Sequence, residues 1–211
     1  MSSGGGGGVP LAQAMFEKYP NYTMGAVNAE TNAGIHTMSR AMMEANDLNA
    51  WFNCADPWCT RLHFRTASFC TERSGHYDAF DQGISFFLPN MTWIQPPGYV
   101  HKMIAETWAV KGLKATVTGT GASASAQLSA DGASVFVRFA STAAGSVTLT
   151  LGGKPVTGSI KATTIAAADL DDANPPSDPT HISPQSSTVV VAADGLVSVP
   201  SNSFTVFTVP V

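Results

Sequence analysis

Gly83-Ile84-Ser85-Phe86-Phe87-Leu88, closed by Pro89-Asn90 and followed by Pro96-Pro97-Gly98-Tyr99-Val100, is a short apolar run, a breaker and then a proline-led helix start. The run reads as a buried strand. Pro97 suits a first helical position, where its missing N–H would have had no partner, and Val100, Met103, Ile104, Thr107 and Trp108 supply the buried face. The same order occurs upstream. Met24-Gly25-Ala26-Val27-Asn28-Ala29-Glu30 is a short apolar run, and after it Ile35, Met38, Met42, Ala45 and Leu48 recur at helical spacing. That spacing predicts a helix over 32–50, with Arg40, Glu44 and Asp47 on its other faces and Met38, Met42 and Met43 as core filling. Strand, helix, strand, helix implies parallel pairing through crossovers. Residues 53–79 keep no sustained period, which is long for a connection and predicts a functional or partly ordered excursion.

From Leu113 the texture changes to Thr, Ser, Val, Ala and Gly, with turn signals at Asp131-Gly132, Gly152-Gly153 and Asp194-Gly195. Val135, Val137 and Phe139 alternate on one face, as do Val147, Leu149 and Leu151. Short strands joined by hairpin turns over roughly 100 residues predict an antiparallel β-sandwich, with a long loop over 166–188. The expected fold class is α/β followed by all-β. Residues 1–10 read as a flexible Gly-rich segment, 11–112 as two βα units of the kind that build a parallel barrel, and 113–211 as the β-sandwich.

Composition narrows the function classes. A hydrophobic fraction of 44% over 211 residues is that of a chain that buries a core. With 12% charged residues, a net charge of -4 and no basic stripe, nothing here draws a phosphate backbone, so no nucleic acid is expected as a partner. No apolar run is long enough to span a bilayer, and the start shows no signal peptide. Cys54, Cys59 and Cys70 with His63 are spaced less closely and regularly than structural zinc ligands, and the five histidines show no ligand spacing. No metal or other cofactor is expected. The cysteines read either as one loop disulfide plus a leftover thiol or as three buried thiols. Asn21-Tyr22-Thr23 and Asn90-Met91-Thr92 match glycosylation acceptors, making Asn21 and Asn90 candidate sites and favouring an extracellular or cell-wall location.

Glu30 closes its apolar run just where the helical pattern begins. In a parallel barrel, reacting groups project from the C-terminal ends of strands, so a carboxylate at this position reads as chemistry. Its alternative is an acid favouring the positive end of a helix dipole. Trp93 and Gln82, near the end of the second strand, are the candidate substrate contacts; Asp81 and Gln95 lie beside them.

These residues resemble the C-terminal half of a glycoside hydrolase family 51 α-L-arabinofuranosidase. Val27-Asn28-Ala29-Glu30-Thr31 takes the place of the segment that ends the seventh barrel strand, although Thr31 departs from the aromatic residue of that pattern. Ala67-Ser68-Phe69, Ile84-Ser85-Phe86-Phe87 and Pro97-Gly98-Tyr99-Val100-His101-Lys102 look like the next segments in order. Leu170-Asp171-Asp172-Ala173-Asn174, Pro179-Thr180-His181-Ile182-Ser183-Pro184 and Val199-Pro200-Ser201-Asn202-Ser203 resemble the motifs of the trailing sandwich.

The resemblance implies that 11–112 are the C-terminal part of a (β/α)8 TIM barrel, its last two βα units, and that the protein is a retaining glycosidase with Glu30 as nucleophile, acting on an arabinose-containing polysaccharide or glycoprotein. It also implies an acid/base Glu within an Asn-Glu pair on the fourth barrel strand. This chain has no Asn-Glu dipeptide, so that strand is expected upstream and the chain alone is expected to be inactive. Two strands cannot close an eight-stranded barrel, which predicts association through the incomplete barrel, while the sandwich is expected to fold alone. The alternative is a non-catalytic carbohydrate-binding or interaction module built on the sandwich.

Overall fold

The computed structural model describes residues 14–15, 17–19, 35–53, 75–76 and 83–211. The apolar run 24–30, the Gly-rich start, the three cysteines and residues 67–69 lie outside these.

Helix α1 is Met38–Phe52 and helix α2 is Pro96–Glu106. On α1, Met38, Ala41, Met42, Ala45, Leu48 and Trp51 are buried, the stripe expected from the spacing, while Met43 is half-buried and Ile35 lies ahead of the helix and exposed. Arg40 and Glu44, expected on outward faces, are buried as well. The reason is that α1 has neighbours on two sides, α2 on one and the sheet on the other, so more than its apolar stripe is covered. Pro96 rather than Pro97 takes the first helical position, behind the N-cap residue Gln95. Trp108, expected in the buried face, falls beyond the helix end and is 46% exposed.

Strand β1 (Gly75–His76) pairs in parallel with β2 (Ser85–Leu88), so the stretch 53–79 does contribute a strand. The expected strand over 83–88 proves to be half of a hairpin. Its partner is β3 (Met91–Ile94), turned by Pro89-Asn90, with Phe86 opposite Trp93. Of β2, Phe86 is buried and Phe87 is exposed, as alternation along a strand dictates.

The rest of the chain forms β4 (Lys111–Leu113), β5 (Ala122–Leu128), β6 (Ser134–Ser141), β7 (Gly145–Thr148), β8 (Thr150–Leu151), β9 (Lys154–Pro155), β10 (Gly158–Ala166), β11 (Gln185–Val191), β12 (Leu196–Val199) and β13 (Ser203–Pro210). Six of them make one antiparallel sheet in the order β11-β10-β13-β6-β5-β4. A second layer consists of β12 paired with β7, beside the small β8–β9 ribbon. Gly132 at φ 73° and Gly195 at φ 85° occupy turns in the left-handed region that the Asp-Gly pairs announce.

The large sheet is covered on both faces. Phe204 and Val206 of β13 join Ala140, Ile165 and Ile182 in a core with both helices, whereas Phe207 and Val209 point the other way, to Phe139, Val197 and Val199. This is why β13 is buried at nearly every position instead of at alternate ones. One continuous core thus crosses the boundary expected at 112/113, and β4 straddles it. The expected loop over 166–188 is shorter than its reading, because β11 begins at Gln185.

Candidate functional site

Where β3 passes into α2, the chain meets the loop between β10 and β11, and Asn174 is the centre of that meeting. Gln95 is fully buried and spends both ends of its amide on the Asn174 backbone. Its Nε2 donates to Asn174 O at 2.8 Å, and its Oε1 accepts from Asn174 N at 3.0 Å. Trp93 Nε1 donates to the same carbonyl at 2.7 Å. The Asn174 side chain donates to Ile94 O at 2.8 Å and Ile182 O at 2.9 Å, and accepts from Ile182 N at 2.7 Å. Every polar atom of this buried residue is therefore partnered, as burial requires.

The same loop caps α1. Thr37 at the N-cap makes no side-chain capping bond, and the first helical N–H groups, on Met38 and Ser39, donate instead to Asp172 O at 2.8 Å and Leu170 O at 2.7 Å. Leu170 to Asn174 thus ties down the start of α1, the helix that follows Glu30 in sequence, and the start of α2. Gly98 permits the close seating of α2 on the hairpin, since a Cβ there would meet Ile84 O and lie 2.7 Å from Ile94 Cγ2.

Between the helices, Glu44 is 1% exposed, accepting from Arg40 Nε at 2.6 Å and facing His101 Nε2 at 2.7 Å. Asp47 lies nearby. Burial pushes its carboxyl above the usual range, and Arg40 partly offsets this. The far side of α1 carries Asn46, Asn49 and Asn53. Asn49 accepts from Ser125 Oγ at 2.7 Å and donates to Ser123 Oγ at 3.1 Å, and Asn53 exchanges two bonds with the backbone of Ala115. These residues hold the helices to the sheet, and their polar atoms are spent on one another. Arg138, fully buried on β6, donates through Nη2 to Thr107 O at 2.6 Å, and burial lowers its pKa to about 10.

An open cleft of about 670 Å³ lies on the opposite face of the sheet, between β5 and β7. Ala124, Ala126 and Val137 form its floor, and Thr116, Thr118 and Ser146 stand at its rims. The small side chains on β5 leave the room.

The sequence candidates divide accordingly. Glu30, Gln82, Asp81 and Asn21 lie outside the described residues. Trp93 is 5% exposed with its N–H committed to Asn174, and Gln95 is likewise committed; both are joint residues with no open face for a sugar. Asn90 is exposed at the hairpin turn. Among the described residues no group of three His, Cys, Asp or Glu side chains is placed to hold a metal, and no described helix is long and apolar enough to cross a membrane. The pairing of His101 with Glu44 is one that no local spacing announces.

No protein-family model matches the chain, and no curated protein matches it in sequence. Solved structures do share its fold. An arabinose-bound GH51 α-L-arabinofuranosidase matches with a TM-score of 0.75 at 14% identity, over 93% of this chain and 34% of its own. The GH51 α-L-arabinofuranosidase of Thermotoga petrophila RKU-1 matches at 0.71 and 14% identity, over 96% of this chain and 46% of its own. A GH30 endoxylanase of Clostridium papyrosolvens C71 reaches 0.58 at 15% identity, over 96% and 45%. The chain spans between about a third and a half of the length of these enzymes. Mostly β-sheet among the described residues, with α1 and α2 packed on one face of the large sheet, the protein has the fold of one part of the GH51 α-L-arabinofuranosidases.

Proposed function

We propose that this chain carries the nucleophile-bearing end of a retaining arabinofuranosidase barrel together with its β-sandwich. Its substrate is a terminal arabinofuranosyl residue of a cell-wall polysaccharide or glycoprotein. The observation that carries the reading is the joint at Asn174. Two segments picked out for their family-like sequence, Leu170–Asn174 and Pro179–Pro184, meet there the strand end Trp93–Gln95 that leads into the third, Pro97–Lys102, in a fold shared with an arabinose-bound GH51 enzyme. Fold likeness at this identity does not transmit activity, so the chemistry rests on Glu30.

In this mechanism the Glu30 carboxylate attacks the anomeric carbon and forms a glycosyl ester. A second carboxyl about 5 Å away protonates the departing oxygen, then acts as base for the water that cleaves the ester. That acid/base is assigned to a part of the barrel outside these 211 residues, and without it the rate falls by about two to four orders of magnitude. The test uses an aryl α-L-arabinofuranoside with the chain alone and with the chain fused behind the N-terminal part of a GH51 barrel. Turnover is expected only in the fusion and is expected to vanish with Glu30→Gln. A fusion that turns over equally well with Glu30→Gln, or that a mechanism-based arabinofuranosyl label modifies elsewhere, removes Glu30 from the mechanism. Glycans on Asn21 and Asn90 and a wall or extracellular location belong to the same proposal.

The cleft over Ala124 and Ala126 favours a second reading, a carbohydrate-binding module on the β-sandwich. It requires the full chain to be retarded by an arabinose-bearing polymer, with the retardation lost in Ala124→Trp and kept in Glu30→Gln. No retardation by any such polymer ends that reading.

A further inference from the structure

The two edges of the six-stranded sheet differ. One edge, β4, is three residues long, begins on exposed Lys111 and is followed by exposed Lys114. Short strands and lysines are the usual means of preventing edge pairing. The other edge, β11, is Gln185-Ser186-Ser187-Thr188-Val189-Val190-Val191. It has no charge and no proline, and it pairs with β10 without a bulge from Gly158 opposite Val191 to Thr164 opposite Gln185. Residues 185–188 are exposed, and Val190 is 76% exposed. An uninterrupted, uncharged edge of seven residues presents a row of outward backbone N–H and C=O groups to any matching strand.

We propose that β11 is the interface of a two-fold homodimer, in which two copies pair antiparallel through this edge into one continuous sheet. A second copy fits for three reasons. Centred on Thr188, the pairing places Thr188 opposite its own counterpart, Ser187 opposite Val189, Ser186 opposite Val190 and Gln185 opposite Val191, so no like charges meet. Val190, exposed although apolar, gains a neighbour across the interface. Finally, with β4 blunted at the other edge, an isologous contact uses the long uncharged edge that the six-stranded sheet presents among the described residues, and it closes at two copies.

The test is sedimentation equilibrium of the full chain across a concentration series, with circular dichroism confirming that each variant is folded. The unaltered chain is expected to dimerise. Thr188→Lys and Thr188→Glu each set like charges directly opposite across the two-fold axis and are expected to weaken association by about tenfold or more. An equimolar mixture of the two variants is expected to regain it as a heterodimer. A monomeric parent, a dimer indifferent to both substitutions, open-ended assembly, or a mixture that stays dissociated overturns the proposal.

Discussion

Replacing Asn174 by Ala removes three side-chain hydrogen bonds at once, to Ile94 O, Ile182 O and Ile182 N. The bonds that Trp93 and Gln95 make to the Asn174 backbone survive, so the loop can stay in place while three main-chain groups lose their partner. Leaving a buried polar group unsatisfied costs about 1–3 kcal/mol, and partial relaxation brings the sum to about 4 kcal/mol. For a chain of this size each kcal/mol lowers Tm by about 2–4 °C, so a fall of about 8–16 °C is expected by circular dichroism. Asn174→Asp tests the same geometry through charge. It keeps the acceptor for Ile182 N–H but turns a carboxylate oxygen toward two carbonyls. Such a group has its folded pKa raised above the unfolded value of about 3.9, so its penalty is small below that value and grows as pH rises through the folded pKa. Asn174→Asp is therefore expected to be more stable than Asn174→Ala near pH 4 and the less stable of the two at pH 7. A cost below about 1 kcal/mol for Asn174→Ala would refute the reasoning. It would mean that the apolar contacts of Leu170 and Ile182 suffice to hold the loop.

Gly98→Ala adds a methyl that meets Ile84 O and Ile94 Cγ2, so despite the better helix propensity of Ala it is expected to destabilise by about 1–3 kcal/mol in urea titration. Glu44→Gln removes the buried charge between Arg40 and His101 and is expected to cost about 3 kcal/mol, measured the same way. In the β5–β6 turn, Ser129 Oγ at 2.6 Å and the Ala133 N–H hold the exposed Asp131 carboxyl below the usual range. Because this folded pKa is depressed, its stabilisation is present above the unfolded value and disappears as pH falls through the folded pKa. Asp131→Asn is thus expected to lower Tm at neutral pH and to converge with the parent in strong acid.

Local signals named both helices and some of the strands. The apolar spacing of Met38, Met42, Ala45 and Leu48, the prolines at 96 and 97 and the Asp-Gly turns located both helices and several hairpins, because each depends on residues within a turn or two of one another. The motif Leu170 to Asn174 was legible as a resemblance before its role was. By contrast, β3 was missed because Met91-Thr92-Trp93-Ile94 is too short to show a period, and only its ladder with β2 defines it.

Residue type and spacing determined where α1 and α2 run and where the Asp-Gly turns fall, since hydrophobic period and turn chemistry act over a few residues. Tertiary structure alone decided that Trp93 and Gln95 serve Asn174, about eighty residues away, and that Glu44 lies buried against His101. It also decided that β13 is covered on both faces, by helices and by strands. Burying polar groups requires partners, and partners so distant in sequence become neighbours only when the layers pack.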